Sequence, residues 1–334
     1  MNKEALLYEQ SDNGRLRCVL CSHYCRIAPG ETGRCGIRHN VAGKLYTASY
    51  GKLIAANCDP IEKKPLYHFL PGTLSYSIAT PGCNFRCEFC QNWQISQTPL
   101  ESQENLPGVG ADTVVGDALA NECRSIAYTY TEPTIFFEYA YDISQISHKK
   151  GIANVFVTNG YMTDKMIDLI RPYLDAANID LKSFSERFYK ERCGGTLRPV
   201  LDSIRRMKES GIWVEVTTLI VPGANDSQEE LADIAGFIAG VDRDIPWHIS
   251  RFYPQYKLRS NFPTPLNILH QAREIGLNAG LKYVYLGNVG EGADTVCPAC
   301  GERLIRREGF FVSENKIKEG RCPSCGEKIA GVWQ

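Results

Sequence analysis

The sequence predicts an α/β fold in which a partial (β/α)6, TIM-like barrel spans residues 75–290. Two observations support this prediction. Short apolar runs alternate with longer amphipathic stretches over that range, which is the pattern of βα units. Clustered cysteines mark the parts on either side, at 1–74 and 291–334. We therefore expect an N-terminal metal-binding segment, the barrel and a C-terminal zinc ribbon, with a doubly wound parallel sheet as the alternative for the centre.

The predicted strands of the barrel are short and mostly rich in β-branched and aromatic residues, as buried parallel strands are. In chain order they are Tyr76–Thr80, Ile126–Tyr130, Asn154–Thr158, Ala177–Leu181, Trp213–Leu219, Trp247–Phe252 and Lys282–Leu286. The helical candidates follow Thr113, span Thr134–His148 and Thr163–Tyr173, and begin at Ser227, where Ser227-Gln-Glu-Glu230 predicts a capping box. Functional groups should collect where the parallel strands end.

Composition and charge exclude several classes of protein. The chain has 334 residues, of which 43% are hydrophobic and 22% charged, and its net charge is −1. These are globular values, and so small a net charge gives no global attraction to nucleic acid or to an anionic membrane. No apolar run is long enough to span a bilayer, and the first ten residues, MNKEALLYEQ, lack the apolar stretch of a secretion signal. We expect a cytoplasmic protein that binds no membrane.

The unusual feature is the 14 cysteines, because a cytosolic protein rarely uses cysteine for disulfides. Eleven of them fall into three tight groups, and their spacing suits thiolates that share a metal site. The remaining three, Cys58, Cys123 and Cys193, stand alone and are expected to be packing residues.

The central group, Cys83-x3-Cys87-x2-Cys90, lies in the loop after the first predicted strand. Iron–sulfur clusters are normally held by four cysteines, so three would leave one iron of a 4Fe–4S cluster open to a substrate or cofactor. A single zinc ion would need a fourth protein ligand, and no His or Cys is adjacent. The expected occupant is therefore a 4Fe–4S cluster.

This loop, with Phe89 before its last cysteine, resembles the cysteine loop of the radical S-adenosylmethionine (SAM) superfamily. The resemblance implies that SAM chelates the open iron. The reduced cluster then splits SAM into methionine and a 5′-deoxyadenosyl radical that abstracts a hydrogen atom, as in an oxidoreductase or lyase-type enzyme. It also implies an electron donor such as ferredoxin or flavodoxin. The residues expected to contact SAM are Phe89, Glu132, Asn159, Asp180, Lys182 and Thr217.

Two of these expected contacts have a chemical rationale. Glu132 carries a carboxylate suited to the SAM ammonium, with a plain helix cap as the alternative. Lys182, in an Asp180-Leu-Lys182 sequence that resembles the Asp-x-Lys of pyruvate formate-lyase activating enzymes, could reach a carboxylate, with a solvated surface pair as the alternative. His248 on the sixth strand is expected to be a core residue. No residue that acts directly on the substrate is predicted.

The N-terminal part narrows the resemblance. Asp59-Pro-Ile-Glu-Lys-Lys-Pro-Leu-Tyr-His68, together with Cys18-x2-Cys21-x3-Cys25-x9-Cys35, is similar to the AmmeMemoRadiSam system radical SAM enzymes, which are related to pyruvate formate-lyase activating enzymes. This resemblance implies an association with AMMECR-type and Memo-type proteins and leaves the substrate, a small molecule or a protein, open. An activase of a glycyl-radical enzyme is the second reading, and a non-catalytic zinc-ribbon binding module the third.

The two outer cysteine groups each have the four thiolates of a complete metal site. Cys18, Cys21, Cys25 and Cys35 suit structural zinc, with an auxiliary iron–sulfur cluster as the alternative, and His23 could replace one ligand. Cys297, Cys300, Cys322 and Cys325 form two Cys-Pro-x-Cys-Gly pairs and predict a zinc ribbon, with a single iron as the alternative. The ribbon is mildly basic but lacks an aromatic stacking platform, so nucleic-acid binding is not expected.

Overall fold

A computed structural model describes residues 3–97 and 106–334 of the chain. Its centre is a single eight-stranded sheet, in which seven parallel strands lie in chain order and one antiparallel strand pairs at the edge. The strands are β7 (Ala55–Pro60), β8 (Leu74–Ala79), β9 (Ser125–Tyr128), β10 (Ala153–Thr158), β11 (Ala176–Asp180), β12 (Trp213–Ile220), β13 (Trp247–Arg251) and β14 (Val284–Gly287). A doubly wound sheet would reverse its strand order at a switch point. This sheet does not, so the partial barrel is confirmed.

Helices fill the six crossovers between the parallel strands. They are α1 (Trp93–Ser96), α2 (Ala111–Ala120), α3 (Phe137–Lys149), α4 (Asp164–Ile170), α5 (Glu186–Phe188), α6 (Arg198–Glu209), α7 (Gln228–Val241) and α8 (Leu266–Asn278). The expected (β/α)6 arrangement is thus present, followed by the seventh parallel strand. The main core lies between these helices and the sheet.

All seven predicted strands are present, with ends within two residues of the expected positions. Strand β7 was not predicted. Its sequence, AANCDP, is largely exposed and has neither β-branched nor aromatic residues. Such a sequence is tolerated at a sheet edge, where one side of the strand needs no partner. The sheet therefore begins inside the segment that was expected to be purely N-terminal.

The capping box at α7 is only half formed. The Ser227 hydroxyl accepts a hydrogen bond from the backbone N–H of Glu230, as predicted. The Glu230 carboxylate does not return to Ser227. It accepts hydrogen bonds from the Ser183 hydroxyl and the Phe184 N–H, so it ties the loop after β11 to α7.

The N-terminal part consists of two small antiparallel sheets. One contains β1 (Lys3–Glu4), β6 (Lys44–Thr47) and β5 (Arg38–Val41) in that order, and the other β2 (Tyr8–Gln10), β3 (Leu16–Cys18) and β4 (Arg26–Ile27). A buried ion pair attaches this part to the barrel. The Arg38 guanidinium donates two hydrogen bonds, of 2.8 and 2.7 Å, to the Glu138 carboxylate on α3, and both side chains are almost fully buried.

Residues 61–70, which we call the strap, run from β7 back to β8 and pack against the barrel strands. The carboxylate of Glu215 on β12 accepts hydrogen bonds from the backbone N–H groups of Tyr67 and His68 and from the Nε2–H of His248. Asn178 on β11 donates to the carbonyl of Pro65. The strap is therefore not a solvated linker, because polar side chains of β11 and β12 bind its backbone.

The C-terminal ribbon (residues 295–334) is a three-stranded antiparallel sheet of β15 (Thr295–Val296), β16 (Arg303–Glu308) and β17 (Phe311–Asn315), with a cysteine pair on each side. The sulfurs of Cys297 and Cys325 are 3.6 Å apart, and those of Cys300 and Cys322 3.7 Å apart. Zinc–sulfur bonds of about 2.3 Å in a tetrahedron place two sulfurs about 3.8 Å apart. These four sulfurs therefore have the spacing that one tetrahedral ion requires.

None of the helices in the described parts of the chain is long and apolar enough to cross a membrane.

The buried ion pair of Arg38 and Glu138 predicts that two Arg→Met substitutions differ in their effect on stability. We expect Arg38→Met to lower the free energy of unfolding by about 3–5 kcal/mol, because it leaves Glu138 buried without its cation. Arg206→Met, which removes a half-exposed partner of Asp168, should cost less than about 1 kcal/mol. Anaerobic urea unfolding followed by circular dichroism compares the two variants, and equal losses would contradict this account.

The ribbon predicts one zinc ion. Cys300→Ala or Cys325→Ala should remove about one zinc per chain, because a tetrahedral site with three thiolates loses most of its affinity, while the iron content stays unchanged. Cys58→Ala, which removes another exposed thiol, is the matched control. The zinc and iron contents of anaerobically purified protein are measured for each variant. Unchanged zinc in both ribbon variants, or iron in its place, would refute the zinc assignment.

Candidate active site

A cavity with a volume of about 1080 Å³ opens where the parallel strands of the barrel end. Its walls come from four parts of the chain: the loop after β8, the ends of the next strands, the strap, and the stretch from β14 into the ribbon. Every residue predicted to hold the central cluster or to contact SAM lines it: Cys83, Cys87, Phe89, Cys90, Glu132, Asn159, Asp180, Lys182 and Thr217. The structure therefore brings together residues that are 134 positions apart in the sequence.

The cysteine loop is held in place by its backbone. The N–H groups of Arg86 and Glu88 donate to the carbonyls of Cys193 and Arg192, so the loop pairs with the short π-helical turn after α5. The Arg86 guanidinium donates to the carbonyl of Cys83 at 2.7 Å and to that of Arg34 at 3.1 Å. These contacts fix the loop between the barrel and the N-terminal part.

The thiols of this loop lie where they can be stabilised as thiolates. The Phe85 N–H lies 3.4 Å from the Cys83 sulfur, and the Ser96 hydroxyl lies 3.2 Å from the Cys90 sulfur. Burial raises the pKa values of both thiols. The neutral form is thus favoured until a metal binds, because thiolates are the form that ligates metals.

The donor set fits a multi-iron cluster better than a single ion. Among residues 3–97 and 106–334, the only group of three or more metal-binding side chains whose ligand atoms all lie within 4.8 Å of one another is the ribbon's. The sulfurs of Cys83, Cys87 and Cys90 are therefore more widely spread than a tetrahedral ion allows. Three thiols beside an open cavity match a cluster with one iron left free for a ligand.

Glu132 links the ends of two strands. Its Oε1 accepts hydrogen bonds from the N–H and hydroxyl of Thr134 and from the hydroxyl of Thr158, and its Oε2 accepts one from the Asn159 N–H at 2.8 Å. It therefore caps the turn that leads into α3, and it also lines the cavity. A carboxylate offers about four acceptor positions, and Oε2 retains one. Burial raises the pKa of Glu132, so a nearby cation would favour its ionised form.

Asn159 connects strand β10 to the cysteine loop. Its amide donates to Oδ1 of Asn84 at 2.7 Å and lies 3.9 Å from the Cys83 sulfur. Its own Oδ1 accepts from the N–H of Tyr161. The next residue, Gly160, has a φ of 69°, and a Cβ there would lie 2.8 Å from Ile179, so only glycine fits after the asparagine.

Asp180 and Lys182 form an ion pair of 2.8 Å at the end of β11. Burial alone would lower the pKa of Lys182, but the paired Asp180 carboxylate raises it well above its usual value. The ammonium therefore stays charged beside the cysteine loop. The pair is not a solvated surface pair, because the Lys182 side chain is only 14% exposed.

Two further predicted residues shape the cavity wall. Phe89 is buried and packs on Phe188 with the ring centroids 5.7 Å apart. The hydroxyl of Thr217 donates to Asn178 at 2.9 Å. Their direct contact with SAM stays a prediction.

Several residues of this region were not predicted to take part. The strap brings Lys64 to the cavity, where its ammonium pairs with the buried Asp59 at 2.6 Å and lies over the ring of Tyr130. His248, expected in the core, is buried but its ring also lines the cavity. One indication of a role for Lys64 is present in the sequence, the mixture of acidic, basic and aromatic residues in the Asp59–His68 motif. The motif itself does not show which strands it packs against.

The three single cysteines, which were expected to be packing residues, each lie beside another cysteine. Cys193 is buried and its thiol lies within hydrogen-bonding reach of Cys87, which contributes to a raised pKa of Cys87. The exposed Cys58 and the buried Cys123 lie within hydrogen-bonding reach of each other. Cys193 thus belongs to the surroundings of the cysteine loop. The four N-terminal cysteines line a separate, smaller cavity behind that loop.

Comparisons with known proteins agree with this geometry. The family model described as the radical SAM superfamily matches residues 77–238. An uncharacterized protein of Methanocaldococcus jannaschii is 45% identical over 335 residues, which is 98% of each chain. A pyruvate formate-lyase-activating enzyme of Clostridium pasteurianum is 23% identical over 198 residues, 58% of this chain and 80% of the relative.

One solved structure shows the shared fold. The crystal structure of a radical SAM methyltransferase from Sphaerobacter thermophilus superimposes with a TM-score of 0.53 at 14% identity, over 90% of this chain and 80% of that chain. The matched family range begins within β8 and contains the cysteine loop and the ends of β9 to β12. The chain therefore belongs to the radical SAM superfamily and is related to its pyruvate formate-lyase activating enzymes.

Proposed function

We propose that this protein is an enzyme that cleaves SAM reductively at a 4Fe–4S cluster held by Cys83, Cys87 and Cys90, and that the resulting 5′-deoxyadenosyl radical abstracts a hydrogen atom from a substrate in the cavity. The observation that carries the proposal is the position of the three thiols, of which Cys83 and Cys87 are buried and Cys90 is partly buried: they are one ligand short and line a cavity of about 1080 Å³. The remaining wall of that cavity supplies groups of both charges.

The charged residues of the chain suit the two ends of an amino acid moiety. Lys182 remains cationic beside the loop and is a partner for a carboxylate. Glu132 has one acceptor position left on Oε2 and is a partner for an ammonium. Because both are buried, their interactions with a ligand would be little screened by water. Their arrangement favours SAM held across the cysteine loop between the ends of β9 and β11.

The strap and the ribbon, which lie outside the barrel, contribute to the cavity walls. The strap lines one side of the cavity through Lys64 and Tyr67, and the ribbon and its approach line another through Asp294, Arg307 and Phe310. Walls of this kind keep water from a reactive intermediate. We propose a small molecule, or a short part of a partner protein, as the substrate. Association with AMMECR-type and Memo-type proteins, a ferredoxin or flavodoxin donor and a cytoplasmic location stay predictions.

A second candidate function is activation of a glycyl-radical enzyme by abstraction of a glycine hydrogen. The similarity to the Clostridium pasteurianum activating enzyme favours it. The strap and ribbon count against it, because an activase must admit a loop of another protein to its cavity, whereas here both parts line the cavity walls.

The first proposal predicts formation of 5′-deoxyadenosine. Anaerobically reconstituted protein with dithionite and SAM should release it, and Cys87→Ala should lose the activity because the cluster loses one of three ligands. Cys123→Ala, which removes a buried thiol outside the loop, is the matched control and should retain activity. No product from the wild type, or equal product from Cys87→Ala, would contradict the proposal and favour a non-catalytic binding module.

The second candidate predicts a different signal. If the protein is an activase, incubation with SAM, reductant and a glycyl-radical enzyme of the same cell should give a glycyl radical in electron paramagnetic resonance spectra. We expect no such radical, with 5′-deoxyadenosine still formed, because the strap and the ribbon occupy two sides of the cavity. A glycyl radical that requires Cys87 would instead establish the activase.

A further inference from the structure

A second cavity lies behind the cysteine loop, in the N-terminal part. It is lined by Cys18 at the end of β3, by Cys21 and Cys25 in the following loop, and by Cys35 just before β5. All four cysteines line one cavity, although they come from three different parts of the N-terminal segment. The cavity is therefore one site with four sulfur ligands.

The spacing of these sulfurs differs from that in the ribbon. The ribbon's four sulfurs all lie within 4.8 Å of one another, as a single ion requires, and no three of the N-terminal four do. In the same chain, then, one set of four cysteines is drawn together to the distances of a tetrahedral ion and the other is spread around a wider space. The wider spacing suits a cluster of several irons, in which each thiolate binds a corner.

Two buried hydrogen-bond donors also belong to the lining of this cavity. Among the residues that the structure describes, Nδ2 of Asn84 and Nε of Arg38 have no partner, although both side chains are almost completely buried. The other polar atoms of these side chains are bonded, Asn84 Oδ1 to Asn159 and the Arg38 terminal nitrogens to Glu138. A buried donor without an acceptor costs about 1–3 kcal/mol, so both donors call for an acceptor inside the cavity.

We propose that Cys18, Cys21, Cys25 and Cys35 hold a second iron–sulfur cluster, in place of structural zinc. Inorganic sulfide or a metal-bound thiolate would accept the hydrogen bonds of Asn84 and Arg38, and the wider spacing of the four sulfurs favours the cluster over a zinc ion. With four thiolates this cluster has no open iron, so it does not bind SAM. His23 is not needed as a ligand, because the four thiolates already complete the set; its Nε2–H donates to the Asn84 carbonyl at 2.8 Å.

The site is directly connected to the active site. Asn84 follows Cys83, its Oδ1 accepts a hydrogen bond from Asn159, and the residue also lines the N-terminal cavity. Arg86 of the same loop donates to the Arg34 carbonyl, next to Cys35. A cluster here would lie against the loop that holds the first one, whereas the ribbon's ion lies at the other end of the chain.

The test is the metal and sulfide content of full-length protein purified anaerobically without reconstitution. In a Cys83→Ala/Cys87→Ala/Cys90→Ala variant we expect about two to four irons per chain, an equal amount of acid-labile sulfide, and the ribbon's zinc. Its reduced electron paramagnetic resonance signal should not change when SAM is added. Two zinc ions per chain without sulfide would overturn the proposal.

Further variants test where the iron sits. Adding Cys21→Ala and Cys35→Ala to the triple variant should remove the remaining iron and sulfide and leave the zinc, which reports that the ribbon is still folded. Iron that persists there is adventitious and also overturns the proposal. Cys58→Ala/Cys123→Ala is the matched control and should keep every metal.

If the triple variant does not fold, Cys21→Ala/Cys35→Ala is made in the wild type instead. This double variant should lose the iron and sulfide of the second cluster, whereas loss of zinc alone overturns the proposal. None of these measurements depends on SAM cleavage.

Discussion

The carboxylate of Glu132 holds the active site together. It accepts four hydrogen bonds, and these join the turn after β9 to the end of β10. From β10 the connection continues through Asn159 to Asn84 and so to the cysteine loop. Each of these groups is buried, where an unpaired polar atom is costly. The loop's position is therefore set by polar contacts among the strand ends, and the apolar core only supports those strands.

Much of this arrangement follows from local sequence, and some of it does not. The seven parallel strands and the three cysteine groups could be predicted because β-branched runs and short cysteine spacings carry their meaning locally. Strand β7 could not, since an exposed edge strand needs no apolar pattern. The direction of Glu230 toward Ser183 and the position of Cys193 beside Cys87 depend on packing between distant segments. The ion pair between Lys64 and Asp59 likewise depends on the burial of the strap, which local sequence does not show.

The three cysteine groups show that similar sequence spacing does not mean a similar site. The ribbon's pairs sit on two tight turns that face each other, and their sulfurs reach 3.6 to 3.7 Å. The other two groups lie on loops that line cavities. The Phe85 N–H lies 3.4 Å from the Cys83 sulfur, and Asn84 and Arg38, which carry unpartnered donors among the described residues, line the N-terminal cavity. Count and spacing indicate that a metal binds, whereas the distances between sulfurs and the donors around them indicate which kind of centre fits.

The ribbon is also part of the active-site wall, so its metal site and the barrel are structurally linked. Arg307 of β16 donates to the Tyr67 carbonyl of the strap, and its guanidinium lies over the Tyr67 ring. His68 is fixed as one neutral tautomer: its Nδ1–H donates to the Ala330 carbonyl, so its Nε2 accepts from Tyr285 of β14. Burial lowers the pKa of His68 to about 4, which keeps that tautomer neutral near pH 7. Ribbon, strap and barrel thus share one buried polar network, and an ion that orders the ribbon also orders the cavity that Tyr67 and Arg307 line.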